Sequence, residues 1–134
     1  QYNYSHDNEG GFWLDCMKLN HNRDCEKTVL RYNISMRDGR GIAVYDQGIL
    51  TEWYGNLFYH EKPMQICCFD QGENFYFANN VFYVPQETDW QKARYEGNSV
   101  NDRQWLELIQ YETQNPNWRD HVTEKLCKFV GVTI

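Results

Sequence analysis

Two cysteines in similar settings near the two ends constrain this chain most. Cys16 closes residues 12–16 (FWLDC), and Cys127 lies within residues 125–130 (KLCKFV). If the two were bonded, they would close a loop of roughly 110 residues, for which the chain-entropy model gives about 4 to 5 kcal/mol of stabilisation. That amount is most of the stability margin of a small domain. Such a bond would therefore hold the ends of one small fold together.

Length and composition predict one sheet-rich domain. The 134 residues suit a single core, which we expect over residues 12–134, preceded by a flexible polar arm over residues 1–11. Ten Tyr, seven Phe and five Trp favour sheet over a helix bundle. No apolar run approaches the length of a membrane helix, so no membrane partner is expected. The net charge of −6 opposes non-specific binding to nucleic acid.

The cysteine content favours an oxidising compartment. The chain opens on glutamine rather than methionine, which suggests a mature secreted product. Five cysteines without a C-x-x-C motif predict disulfides rather than a metal site. Cys67 and Cys68 are adjacent and cannot easily bond to each other, so one of them, with Cys67 as our choice, is a candidate partner for Cys25. Residues 3–5 (NYS) and 33–35 (NIS) are glycosylation sequons that this compartment permits.

Hydrophobic patterning predicts mostly antiparallel strands. Residues 25–38 fit two interpretations, because apolar and polar positions alternate as in a strand, while helical spacing between a capping aspartate and a glycine is also present. Residues 42–84 read as several short strands of a meander, and residues 88–97 as a loop. Residues 105–111 carry apolar side chains at alternating and intervening positions, which predicts a central strand. Residues 126–132 are predicted to form the last strand. We detect no internal repeat.

The arrangement of the motifs resembles the microbial guanyl-specific ribonucleases and, more closely, the ribonuclease-like secreted effectors of powdery mildew fungi. Residues 126–130 (LCKFV) are similar to the terminal Cys-x-Phe-Val of those effectors, and residues 13–16 (WLDC) to their opening motif, with the aromatic one residue further from the cysteine. Residues 59–64 (YHEKPM) are similar to a ribonuclease strand, and residues 103–109 to the penultimate strand. The resemblance implies an α+β fold in which one helix, over 25–38, packs on a small antiparallel sheet, with the termini joined by a Cys16–Cys127 disulfide.

The same resemblance implies a scaffold without its catalytic set. Glu61 falls where the general base would lie, so we regard it as a relic of that base. No histidine occupies the end of the strand that should carry the acid, and His121 lies about ten residues further along. Arg94 and Arg103 lack the family's setting for the phosphate-binding arginine. We therefore expect no enzyme activity, no cofactor and no metal.

The function expected from the resemblance is that of a secreted, monomeric fungal virulence effector that binds host protein. RNA is a weaker candidate partner, a plant immune receptor could recognise the protein, and its place of action could be inside host cells. The exposed aromatics proposed for contact are Trp53, Tyr54, Trp90 and Trp118. Two alternatives stay open: an active secreted ribonuclease that uses Glu61, and an all-β module that binds carbohydrate or a small ligand through the aromatic-rich residues 75–83.

Overall fold

The structure is a computed structural model that describes residues 1–9, 14–16, 27–39, 44–46, 50–66, 75–110 and 114–131. These residues form short strands followed by two helices. The strands are β1 (Tyr4–His6), β2 (Leu14–Cys16), β3 (Lys27–Arg31), β4 (Ile34–Met36), β5 (Val44–Asp46), β6 (Leu50–Tyr54), β7 (Leu57–Tyr59), β8 (Gln65–Ile66), β9 (Phe75–Ala78), β10 (Val81–Tyr83), β11 (Asp89–Trp90), β12 (Arg94–Glu96) and β13 (Ser99–Val100). The helices are α1 (Arg103–Ile109) and α2 (Trp118–Val130).

The strands wind into a parallel solenoid. Within the described residues, every pairing is parallel and joins a strand to the strand three places later in the chain. One sheet has the order β1-β4-β7-β10-β13, a second has the order β12-β9-β6-β3, and the third face carries the pairs β2-β5 and β11-β8. Each turn therefore contributes one strand to each face. The other two strands of a turn provide the long crossover that parallel neighbours need.

Alternation along the strands divides the apolar side chains between two cores. Leu57 lies outside the first sheet, whereas the next residue, Phe58, lies between the sheets. The interior core contains Trp53, Phe58, Met64, Ile66, Phe75, Phe77, Phe82 and Val84. The outer core lies between the first sheet and the helices and contains Ile34, Met36, Leu57, Val81, Trp105, Ile109, Trp118, Val122 and Leu126. Both faces of the first sheet are thus buried, as is usual for parallel sheets.

The two helices cover the first sheet and are tied to each other. The carboxylate of Asp102 accepts a hydrogen bond from the backbone N–H of Gln104 and so caps the start of α1. The indole N–H of Trp118 at the start of α2 donates to the carbonyl oxygen of Leu108 at 2.9 Å. Gly131 ends α2 in the left-handed conformation, with a φ of 89°.

The expectation of one helix on an antiparallel sheet is wrong. Alternation identifies a strand but does not fix the direction of its neighbour, and here all described neighbours are parallel. Residues 25–38 contain β3 and β4 rather than a helix, and residues 88–97 contain β11 and β12. Residues 105–111 and 126–132, expected as strands, fall largely in α1 and α2. Their apolar residues are spaced four apart, as Trp105 and Ile109 show by being buried together.

The expected disulfide between the termini is also wrong. Cys127 is a free, buried thiol on the inner side of α2. Cys16 lies at the end of β2, which pairs with β5. Cys25, Cys67 and Cys68 lie outside the described residues. The first residues, expected to form a flexible arm, include β1, which pairs with β4 and so belongs to the first turn of the solenoid.

Candidate functional site

A ladder of five asparagines runs along one corner of the solenoid. The members are Asn3, Asn33, Asn56, Asn80 and Asn98. Each of the first four donates from its backbone N–H and its side-chain Nδ2 to the Oδ1 of the next, at 2.9 to 3.1 Å. Nδ2 of Asn56, Asn80 and Asn98 also donates to a backbone carbonyl oxygen of the preceding turn. The ladder therefore joins consecutive turns through hydrogen bonds that are buried in the middle turns and partly buried at both ends.

The residue before each ladder asparagine has a left-handed backbone. These residues are Tyr2, Tyr32, Gly55, Asn79 and Gly97, with φ between 53° and 65°. This conformation makes the sharp corner between the second and the first sheet and places the asparagine inside it. The space at the corner is small: a Cβ on Gly55 would lie 2.7 Å from the ring of Tyr32. The chain thus repeats a left-handed residue followed by asparagine at every turn.

Two columns of aromatic rings in contact run through the interior to the C-terminal end of the solenoid. One column runs from Trp53 through Phe77 to Tyr95, with ring centroids 5.6 and 5.5 Å apart. In the other, Phe58 stacks on Phe82 with centroids 5.2 Å apart, and Trp90 meets Phe82 edge-on at 5.0 Å. The inner rings are fully buried, whereas Trp90 is 37% exposed and Tyr95 is 38% exposed. The last ring of each column is therefore partly exposed.

The last turn of the solenoid is only one-third complete. The first sheet ends with β13, whereas the second sheet ends one turn earlier with β12, and the third face with β11. The chain then leaves the stack through α1. The described strands therefore form a step, in which β13 extends one strand beyond the partly exposed rings of Trp90 and Tyr95. We name the residues of this step, Trp90, Tyr95, Glu96, Gly97, Asn98 and Val100, the end surface; they line a hollow of about 450 Å³.

Charged side chains flank Tyr95 on the outer face of β12. Since Tyr95 points inward onto Phe77, its neighbours Arg94 and Glu96 point outward. The guanidinium carbon of Arg94 lies 4.4 Å from the ring centroid of Tyr76, and the carboxylate of Glu96 accepts from the hydroxyl of Tyr76 at 2.6 Å. That hydrogen bond raises the pKa of Tyr76. The outer edge of β12 thus presents a positive and a negative group two residues apart.

A buried polar cluster lies near the N-terminal end of the interior. The hydroxyl of Ser35 is 2.5 Å from the carboxylate of Asp38 and 3.2 Å from Nε2 of His60. Nδ1 of His60 donates to the backbone carbonyl oxygen of Asp38 at 2.8 Å. The hydroxyl of Ser5 also donates to the carboxylate of Asp38. Burial lowers the pKa of His60, and the hydrogen bond to the Asp38 carbonyl oxygen opposes that shift.

This cluster contains a serine, a histidine and an aspartate, but not in a catalytic arrangement. In a triad the carboxylate orients the imidazole. Here the Asp38 carboxylate contacts the serine instead, and Ser35 and His60 are only 1% and 3% exposed. The hydrogen bonds of this cluster join β1, β4 and the residue after β7, and so connect the first turns of the solenoid.

The structure separates the residues that were predicted as a ribonuclease relic. Glu61 is exposed just after β7, whereas the adjacent His60 is buried in the interior. No hydrogen bond or ion pair joins Glu61 to a histidine or arginine within the described part of the chain. Arg103 begins α1, and His121 is exposed on α2. These groups do not form one site.

The four aromatic contact candidates have different environments. Trp53 is fully buried and Trp118 is 3% exposed, so both are core residues. Tyr54 is half-buried, with its ring edge-on to Tyr32. Of the four, Trp90 alone belongs to the end surface. The described residues contain no group of side chains suited to a metal ion, and no described helix is long and apolar enough to cross a membrane.

The sequence interpretation missed Tyr95, Val100 and the ladder asparagines. A signal for the ladder was present: residues 2–5 (YNYS) and 32–35 (YNIS) share Tyr-Asn-x-Ser. No family model matches the chain, and no curated protein or solved structure was found to be similar to it.

Proposed function

We propose that this chain is a non-enzymatic binding module whose partner is a protein that docks on the end surface. The observation that carries this proposal is the partial exposure of Trp90 and Tyr95, the last rings of the aromatic columns, beside an incomplete turn. Solenoid ends usually need a polar cap because stacked repeats otherwise expose their core. At this end of the solenoid, exposed apolar side chains take the place of a polar cap. They belong to Trp90, Tyr95 and Val100, and Val100 is 50% exposed.

The edges beside these rings also favour a protein partner. β11 and β12 are the last strands of their faces and are exposed along their whole length. An edge strand offers unpaired N–H and C=O groups that an extended segment can bind by adding a strand. Aromatic residues next to such an edge provide the apolar contact that dominates binding energy. The end surface combines both properties.

The ribonuclease-like scaffold has no further part in this proposal, because the fold is a parallel solenoid. Secretion stays a prediction from the cysteine content and the first residue, and a role as a fungal virulence effector, a host partner and recognition by an immune receptor stay predictions from sequence resemblance. The protein-binding part of that expectation is kept here on separate grounds, with one of its four aromatic candidates, Trp90, in the contact surface.

A second candidate function is the binding of a carbohydrate or other small ligand in the hollow of the end surface. The hollow favours it because two aromatic rings and the polar side chains of Glu96 and Asn98 line the same space. However, Glu96 accepts from Tyr76, and Asn98 is engaged with Asn80 and Phe77. Few polar groups are therefore left to orient a sugar.

Selection of peptides from a random display library tests the protein-binding proposal. The chain is immobilised, and enriched peptides are measured again on the Val100→Glu variant, which places a charge in the end surface. Val29→Lys is the control, because Val29 is 40% exposed on β3 at the opposite end of the solenoid and a lysine there lies opposite Glu52. We expect peptides that bind the wild type and the control but lose at least about tenfold in affinity for Val100→Glu.

Two results would overturn the proposal. One is the absence of enriched peptides, and the other is enrichment of peptides that bind Val100→Glu as tightly as the wild type. A glycan array provides the parallel test of the second candidate: glycans that bind in a Trp90-dependent manner, together with failed peptide selection, would replace the first function by the second.

A further inference from the structure

We infer that the partner segment adds as a fifth strand to the second sheet, parallel to β12, and carries the sequence pattern acidic, apolar, basic, Gly, Asn. This inference rests on the proposed function and names the chemistry of the partner. It follows from the columns of side chains that run through the sheet and stop at β12, and from the end of the asparagine ladder.

The apolar position is set by the column that ends at Tyr95. The register of the second sheet places Leu30 opposite Trp53, Trp53 opposite Phe77, and Phe77 opposite Tyr95. All four side chains point into the interior core. A residue added in the same register would cover the exposed part of Tyr95, so an aliphatic or aromatic side chain belongs there.

The charged positions are set by the two outward neighbours of Tyr95. An added parallel strand places one outward residue opposite Arg94 and another opposite Glu96, two positions later. Opposite charges on adjacent strands attract, and like charges directly opposite repel. The residue before the apolar one should therefore be acidic, and the residue after it basic. An antiparallel strand would need the reverse order.

The Gly-Asn that follows is set by the end of the ladder. In the first four members, the backbone N–H and Nδ2 both donate to the next asparagine. Asn98 is the last member, and its backbone N–H has no acceptor within the described residues. A side-chain oxygen one turn further on would accept from Asn98 as Asn98 itself accepts from Asn80. A glycine before it would adopt the left-handed corner, as Gly97 does at a φ of 65°.

Short capped peptides test this inference on the intact chain. The probe is Ser-Glu-Val-Arg-Gly-Asn, and the charge-reversed control is Ser-Arg-Val-Glu-Gly-Asn, which has the same composition. Isothermal titration calorimetry gives the affinities, and amide chemical shifts locate the contact. We expect the probe to bind at least about tenfold more tightly than the control and to shift residues 94–100. A probe that ends in Gly-Ala should bind more weakly.

A double charge exchange on the protein gives the matching control. The variant Arg94→Glu with Glu96→Arg changes two exposed side chains, and unchanged amide shifts elsewhere would show that it folds. It should prefer the charge-reversed peptide.

Equal binding of both peptides, preference of the wild type for the reversed one, or no binding of either at millimolar concentration would overturn the inference. If display selection still yields peptides that depend on Val100, the proposed function stands while this assignment of the partner fails.

Discussion

Replacing Asn56 with alanine tests the ladder at its most buried point. The side chain is fully buried. Its Oδ1 accepts from the backbone N–H and the Nδ2 of Asn33, each at 3.0 Å, and its Nδ2 donates to Oδ1 of Asn80 at 2.9 Å and to the carbonyl oxygen of Leu30 at 3.0 Å. Alanine removes every one of these side-chain contacts at a position that bulk water does not reach.

The magnitude follows from the groups that lose their partner. The two Asn33 donors remain buried, since Asn33 is 2% exposed, and both lose the same acceptor. A buried donor without a partner costs about 1 to 3 kcal/mol, so the variant should lose about 2 to 6 kcal/mol of unfolding free energy. That is a large part of the about 5 to 15 kcal/mol typical of a domain.

Urea unfolding followed by tryptophan fluorescence measures this loss, with Thr51→Val as the control. Thr51 is also fully buried, but its hydroxyl has no hydrogen-bond partner within the described residues. Valine keeps the shape and removes an unsatisfied polar atom, so this variant should be at least as stable as the wild type. A loss below about 1 kcal/mol for Asn56→Ala, or a loss no larger than that of Thr51→Val, would refute the role assigned to the ladder.

Three further predictions concern backbone strain, pH and the free thiol. Gly55→Ala should lower the unfolding free energy measured in urea by about 2 to 4 kcal/mol, because a left-handed φ is combined with a clash against Tyr32. Gly131→Ala, whose new Cβ has no atom within 4 Å, should lower it by only about 1 to 2 kcal/mol, and equal losses would contradict the crowding at the corner. Burial lowers the pKa of His60, so the unfolded chain binds a proton more readily than the folded chain. The contribution of His60 to the unfolding free energy is therefore fully present above about pH 6.5 and decreases as the pH falls below that value. The His60→Gln variant should lose this part of the change in urea midpoint between about pH 7.5 and 5.5, and a pH profile equal to that of the wild type would contradict the role of His60. Burial also raises the pKa of the Cys127 thiol, so mass spectrometry should find Cys127 unmodified by iodoacetamide in the native chain and modified in urea; a peptide linked to Cys16 would restore the rejected disulfide.

The sequence predicted that strands dominate the chain but not how they pair. Alternation in residues 30–37 favoured a strand while helical spacing left a helix open, and the structure has the end of β3 and all of β4 there. Strand direction depends on contacts between turns 18 to 30 residues apart, such as Asn80 with Asn98 and Asn3 with Asn33, which no local pattern contains. The uneven spacing also hid the repeat. The two Tyr-Asn-x-Ser segments were interpreted as glycosylation sequons, although Asn33 is buried in the ladder.

The candidate site could be predicted only in part. Trp90 was proposed as a contact aromatic in an expected loop, and the structure places it in the end surface. Trp53 was proposed on the same grounds but lies in the middle turns, where the rings of Phe77 and Phe58 cover it. Exposure of these rings depends on which turn is last, and the position of the last turn is set by where α1 begins.

The most direct test of the parallel solenoid is a nuclear Overhauser experiment on the isotopically labelled chain. The structure predicts contacts from the side-chain amide protons of Asn56 to the backbone amide of Asn33, together with amide-to-Hα contacts between β6 and β9 in the register Trp53 to Phe77. It also predicts no close Hα-to-Hα contacts between these strands, because such contacts mark antiparallel neighbours. Strong Hα-to-Hα contacts between β6 and β9, without contacts between the ladder asparagines, would contradict the fold and the end surface built on it.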